Sequence, residues 1–156
     1  MATRQPYEPE SGPSADFFRK LASGVPGILF TYWLSADGQY HYYPYVSDQV
    51  RNLFGIEPEA LRENADAVFS VIHPDDATGV GDSIQESART LEPWQYRARL
   101  KLQNGDYQWF EAHSIPERQS DGSTLWYGQF HNIQHYKDLE QELREREAEF
   151  FFQAGF

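Results

Sequence analysis

Cysteine is absent from the 156-residue chain, which excludes disulfides, thiolate nucleophiles, cysteine-ligated zinc and cysteinyl adducts. Its absence also fits a reducing compartment, and a cytoplasmic location is expected. Basic residues are scarce: 13 Lys and Arg stand against 24 Asp and Glu, a formal charge of −11. Such a surface repels phosphate backbones and anionic headgroups, so neither nucleic acid nor a membrane surface is an expected partner. Long apolar runs are missing too, with no window approaching the ~18 residues of a membrane span. The opening "MATRQPYEPESGPSADFF" lacks the charged-then-apolar order of a secretory signal. What the chain does have is aromatic side chains, 10 Tyr, 11 Phe and 4 Trp, within a 40% hydrophobic composition. That supply supports a folded core, and the length fits one domain with extensions.

Residues 1–13 hold three prolines, a glycine and polar residues, and read as a flexible leader. "SADFFRKLASG" follows as a short helix capped by Ser14, with Phe17, Phe18 and Leu21 on one face and Gly24 as the stop. "ILFTYWLS" and "QYHYYPYV" are β-branched and aromatic runs joined by Ala36-Asp37-Gly38, which predicts a hairpin. Proline cannot donate to a ladder, so Pro44 places the second strand at a sheet edge. From Ser47 the period changes. "SDQVRNLFG" predicts a helix capped by Ser47 and ended by Gly55, and Pro58 opens another. A further turn spans Asp66 to Ile72, and Val80, Ile84, Ala88 and Leu91 then form one helical stripe.

The last third returns to strands: "WQYRARLKLQ", "YQWFEAHSIPER" and "TLWYGQFHNIQ", joined at Asn104-Gly105 and Asp121-Gly122. Five antiparallel strands with a helical insert covering one face make an α+β architecture. The fifth strand runs into "HYKDLEQELREREAEFF" with no turn residues between them. On that helix Tyr136, Leu139, Leu143 and Phe150 form a narrow apolar seam, which suggests pairing with a second copy. Glu140 with Arg144 and Glu142 with Arg146 are ion pairs at i,i+4.

Four stretches, "YVSDQVRNLFGIEPEAL" from Tyr45, "VIHPDD" from Val71, "NGDYQWFEA" from Asn104 and "WYGQFHNIQHYKDLEQEL" from Trp126, occur in an order that resembles a PAS domain with a C-terminal PAC-type motif. The resemblance implies a sensory, dimerising and non-catalytic module over 14–134, with strand order 2-1-5-4-3 and helices enclosing a pocket. The C-terminal helix, 135–156, would be the lever that signals to an output domain in the same polypeptide, a histidine kinase or a diguanylate cyclase. Family members usually end the last strand in Asp-Ile-Thr, where this chain has Asn132-Ile133-Gln134, so Asn132 and Gln134 are the candidate signal-relay residues. "AEFFFQAG" at Ala148 echoes "ADFFRKLASG" at Ala15, an expectation of a second PAS unit starting near Glu149.

Trp109, Trp126 and Phe130 are the candidate ligand-pocket residues, with plain core packing as the competing role. The aromatic run Tyr40 to Tyr45 fits core or interface packing. His73-Pro74-Asp75-Asp76 reads as a helix N-terminus, with acids at the positive end of the dipole. The alternative is a small α+β enzyme using His73 with Asp75 or Asp76, and a ligand-free dimerisation module is a third reading. His131 and His135 are four apart but straddle a strand end, so no metal is expected. Cysteine-linked flavin and chromophore are excluded, and haem is not expected because Ala77 to Leu91 has no histidine. Non-covalent flavin or a small metabolite remains open.

Overall fold

The computed structural model describes Lys20 and residues 27–155. The leader and the helix expected over Ser14–Gly24 lie outside the described residues. Five antiparallel strands, β1 (Ile28–Leu34), β2 (His41–Val46), β3 (Trp94–Lys101), β4 (Tyr107–Arg118) and β5 (Thr124–Asn132), form one sheet in the order β2-β1-β5-β4-β3. Between β2 and β3 run α1 (Gln49–Phe54), α2 (Pro58–Leu61), α3 (Asp66–Ser70) and α4 (Pro74–Thr90); α5 (Gln134–Gln153) follows β5. This is the expected α+β arrangement, and β5, carrying Trp126, is its central strand.

Pro44 lies on the edge strand, as its missing N–H requires. The register shifts there: Thr31 faces Tyr45 but Trp33 faces Tyr42, so β2 carries an extra residue opposite β1. Pro116 lies within β4, beyond Ser114, the last residue there to pair with β3. That stretch pairs on the β5 side alone, which tolerates a residue without a donor.

Two helix signals act differently from expectation. Ser47 does not cap α1; it is buried, its Oγ accepts from Leu29 N at 3.1 Å, and it ties the end of β2 to β1. Leu91 leaves the α4 stripe: it is the left-handed C-cap at φ 59° and is exposed, whereas Val80 and Ile84 are buried. Gly55 ends α1 at φ 69°, the conformation glycine adopts without a Cβ penalty. The core lies between one sheet face and α1–α4, where Phe30, Tyr32, Tyr43, Phe110, Trp126 and Phe130 stack against Val68, Val80 and Ile84. Among the described residues, no helix is long and apolar enough to cross a membrane.

Candidate functional site: an inner-face cavity and the strand-to-helix junction

Side chains alternate between the faces of a strand, so Trp126 and Phe130 of β5 share the inner face with Phe110, Ala112 and Ser114 of β4. Together with Tyr32 of β1 and Val80 and Ile84 of α4 they enclose a cavity of about 70 Å³. Two tryptophans are pinned to α4 by hydrogen bonds. Trp126 Nε1 donates to Ser87 Oγ at 2.9 Å, and Trp94 Nε1 donates to Ser83 Oγ at 2.7 Å. Both serines are satisfied in turn, Ser87 donating to Glu92 O and Ser83 to Val80 O. The long helix is thereby fastened to both the centre and the edge of the sheet.

Of the three aromatic candidates, Trp126 and Phe130 line the cavity and Trp109 does not. Trp109 stands on the outer face, between Arg99 at 5.2 Å and Lys137 of α5 at 4.7 Å from its ring centroid. Its neighbour Phe110 fills the inner position. Both residues are large and aromatic, so β4 alternation read on its own could not tell which faced in.

Sequence reasoning missed two polar features of this cavity. The first is a chain of hydrogen bonds: the Tyr32 hydroxyl lies 2.8 Å from His41 Nδ1, and His41 Nε2 lies 2.5 Å from Asp66 Oδ1. Burial, with Tyr43 and Asp66 adding to it, holds the Tyr32 phenol well above its ordinary range. The second is Ser114, 4% exposed, whose Oγ has no hydrogen-bond partner among the described residues. Gly128 pairs with Ser114 across the strands, and a Cβ there would come within 2.5 Å of Ser114 Cβ and 2.0 Å of His113 O. Only glycine lets β4 and β5 approach so closely.

His73, Asp75 and Asp76 do not converge on this cavity. His73 Nδ1 accepts from Asp75 N at 3.1 Å and caps α4. Asp75 projects outward, with 78% of its side chain exposed. Asp76 clamps β3: it accepts from Arg99 N at 2.8 Å, Arg99 Nε at 3.0 Å and Arg99 Nη2 at 2.8 Å. Those hydrogen bonds hold its carboxyl below the usual range. Arg99 O in return accepts from His73 N. The cluster is a two-way fastening of helix to strand, which removes the geometry the enzyme reading needs. His131 is in β5 and His135 is exposed on α5, and among the described residues no group of side chains is arranged to hold a metal ion.

The junction from β5 to α5 takes no intervening loop. Asn132 ends the strand, Ile133 is the cap and Gln134 begins the helix. Asn132 Oδ1 accepts from Gln134 N at 2.8 Å, and its Nδ2 donates to Gln108 Oε1 at 2.6 Å. Gln134 Oε1 accepts from Trp109 N at 3.0 Å, while Ile133 N donates to Trp109 O at 2.8 Å. An amide pair therefore makes the hydrogen bonds here without an ion pair.

Charges then hold the first turns of α5 on the outer face. Arg97 donates to the buried Glu111 at 2.5 Å, which holds that carboxyl below its usual range, and it sits 5.3 Å from the Tyr136 ring. Glu140 lies 3.7 Å from Arg97 and 3.3 Å from Lys137. The expected partnership of Glu140 with Arg144 is replaced by these sheet contacts, whereas Glu142 does pair with Arg146 at 2.8 Å. Tyr136, expected in the dimer seam, also leans on the sheet through Arg97. Leu139 and Leu143 are exposed in the single chain, and so are Phe150, Phe151 and Phe152.

Pockets for drug-sized ligands run to roughly 300–1,000 Å³, and the cavity of about 70 Å³ is well below that range.

Comparison with known proteins agrees with this geometry. The profile described as PAS fold matches residues 43–145. A curated relative, the uncharacterized protein y4lL of Sinorhizobium fredii, is 35% identical over 80 residues, which is 51% of this chain but only 10% of that protein's length. Among solved structures, a sensory box histidine kinase/response regulator from Burkholderia thailandensis E264 superposes with a TM-score of 0.61 at 19% identity, covering 85% of this chain and 96% of that one. The N-terminal domain of a diguanylate cyclase with PAS/PAC sensor from Marinobacter aquaeolei gives 0.57 at 14% identity, covering 70% and 98%. The sheet order, the helical face over a cavity and the profile match together establish that the chain belongs to the PAS fold family.

Proposed function

We propose that this chain is a sensory module in which a small molecule in the inner-face cavity alters the sheet, and α5 passes the change to an output domain of the same polypeptide. The observation that carries this reading is the seamless junction: Trp109 holds both Ile133 and Gln134, so a displacement of β4 is felt at the first turn of α5. The output is a histidine kinase or a diguanylate cyclase, the kinds of protein named for two of the solved neighbours. Leu139 and Leu143 are exposed about one turn apart on the same face and pair α5 with a second copy. A second unit of the same fold, starting near Glu149, fits a helix that runs on to Gln153.

A second reading, a ligand-free dimerisation module, is favoured by the small cavity volume. Mass spectrometry of small molecules released from natively purified protein separates the two. The sensory reading expects a stoichiometric small compound that is lost when Ser114→Leu fills the cavity. Protein that carries none, and whose cavity signals in NMR spectra respond to no small probe, supports the ligand-free module.

A further inference from the structure

The hydrogen-bond chain at Tyr32 specifies more than the presence of a pocket. We propose that the inner-face cavity selects a small uncharged hydrogen-bond donor, read by the lone pairs of the Tyr32 hydroxyl, with Ser114 as the second polar contact; this rests on the sensory reading of that cavity.

Direction follows from Asp66. Its carboxylate only accepts, and at 2.5 Å from His41 Nε2 it requires a hydrogen on that nitrogen. In that Nε2–H tautomer Nδ1 carries a bare lone pair, which the Tyr32 hydroxyl meets at 2.8 Å as donor. Phe69 at 5.1 Å packs the imidazole in place, and Ala65 N donates to the His41 carbonyl. Tyr32 has one hydroxyl hydrogen, and it is committed to His41. What the phenol offers to the cavity is therefore an acceptor.

Ser114 supplies the complement. Its Oγ is buried on the same inner face, has no partner among the described residues, and can either donate or accept. Among the described residues no charged side chain lines the cavity, so an ion would be desolvated without compensation. Size completes the description: a cavity of about 70 Å³ is roughly half of one that holds benzene. A ligand of about four heavy atoms bearing a donor and an acceptor, such as a short alcohol or amide, meets all of these terms.

Propan-2-ol and acetone have the same four heavy atoms and differ in the donor. Each is titrated into the ¹⁵N-labelled protein, with the Trp126 indole N–H and the Ser114 amide as reporters. Propan-2-ol is expected to bind about fivefold more tightly, the worth of one hydrogen bond of about 1 kcal/mol. Tyr32→Phe should bring the ratio to about one while both probes still bind. His41→Ala, which frees the Tyr32 hydrogen, should shift the preference toward acetone, so a poorly folded Tyr32 variant does not shield the idea. Equal binding of the two probes to the wild type overturns the donor reading and leaves the site standing. Neither probe moving the reporters, or Ser114→Leu leaving the shifts unchanged, overturns the site and the inference together.

Discussion

Replacing Trp109 by leucine probes how the sheet grips the output helix. The indole lies between Arg99 and Lys137, 5.2 and 4.7 Å from its centroid. Each cation–π contact at a partly exposed site contributes about 0.5–1 kcal/mol, so removing both costs about 1–2 kcal/mol. Leucine keeps apolar bulk against the outer face, and the backbone bonds from Trp109 to Ile133 and Gln134 do not depend on the side chain. The loss should therefore fall on the docking of α5. Amide exchange through local opening reads it directly: residues 137–141 should exchange about 5–30-fold faster, the equivalent of 1–2 kcal/mol. Trp109→Phe, which retains a weaker aromatic face, should give a smaller acceleration. The reasoning is refuted if 137–141 keep their protection, or if β1 and β5 lose it to the same degree.

Three other outcomes follow from the same geometry. Asp76→Asn removes a carboxylate that accepts three hydrogen bonds from Arg99 and should cost about 1.5–3 kcal/mol by urea unfolding. Because the folded carboxyl titrates below its ordinary value, its stabilisation is complete above about pH 4 and is lost as pH falls through the lowered value. The asparagine variant should accordingly show a shallower acid limb, and an unchanged limb would contradict the clamp. Gly128→Ala drives a Cβ to 2.0 Å from a backbone oxygen, so a loss of about 3 kcal/mol and a fall in Tm of about 6–12 °C are expected; a change within about 2 °C would refute the close approach. Leu139→Asp with Leu143→Asp should shift sedimentation toward monomer by burying unpaired charge in the seam, and an unchanged dimer mass would remove the helical contact.

The strands were legible because alternation and turn pairs mark each of them and one proline marks an edge, whereas their order was implied by the resemblance to PAS domains. β4 was found to the residue, Tyr107–Arg118. The pocket was less so. Trp109 and Phe110 are adjacent aromatics, and which of them faces inward depends on the register with β3 and β5, a long-range property. Ser47 and Leu91 carry correct local signals, a cap and a stripe position, but tertiary contacts reassign both. The Tyr32–His41–Asp66 chain joins β1, β2 and α3 across sequence separations of 9 and 25 residues and has no local pattern to betray it. Glu140 turned from Arg144 to the sheet for the same reason: Arg97 comes near only once the helix docks.

The central claim is that a change inside the cavity reaches α5 through Trp109. Labelling the tryptophans with fluorine and titrating with propan-2-ol while following amide exchange in α5 tests it most directly. The account predicts that the Trp126 and Trp109 resonances shift together and that exchange across residues 137–141 changes in step with them. A shift at Trp126 that saturates while Trp109 and α5 remain unaltered would contradict it.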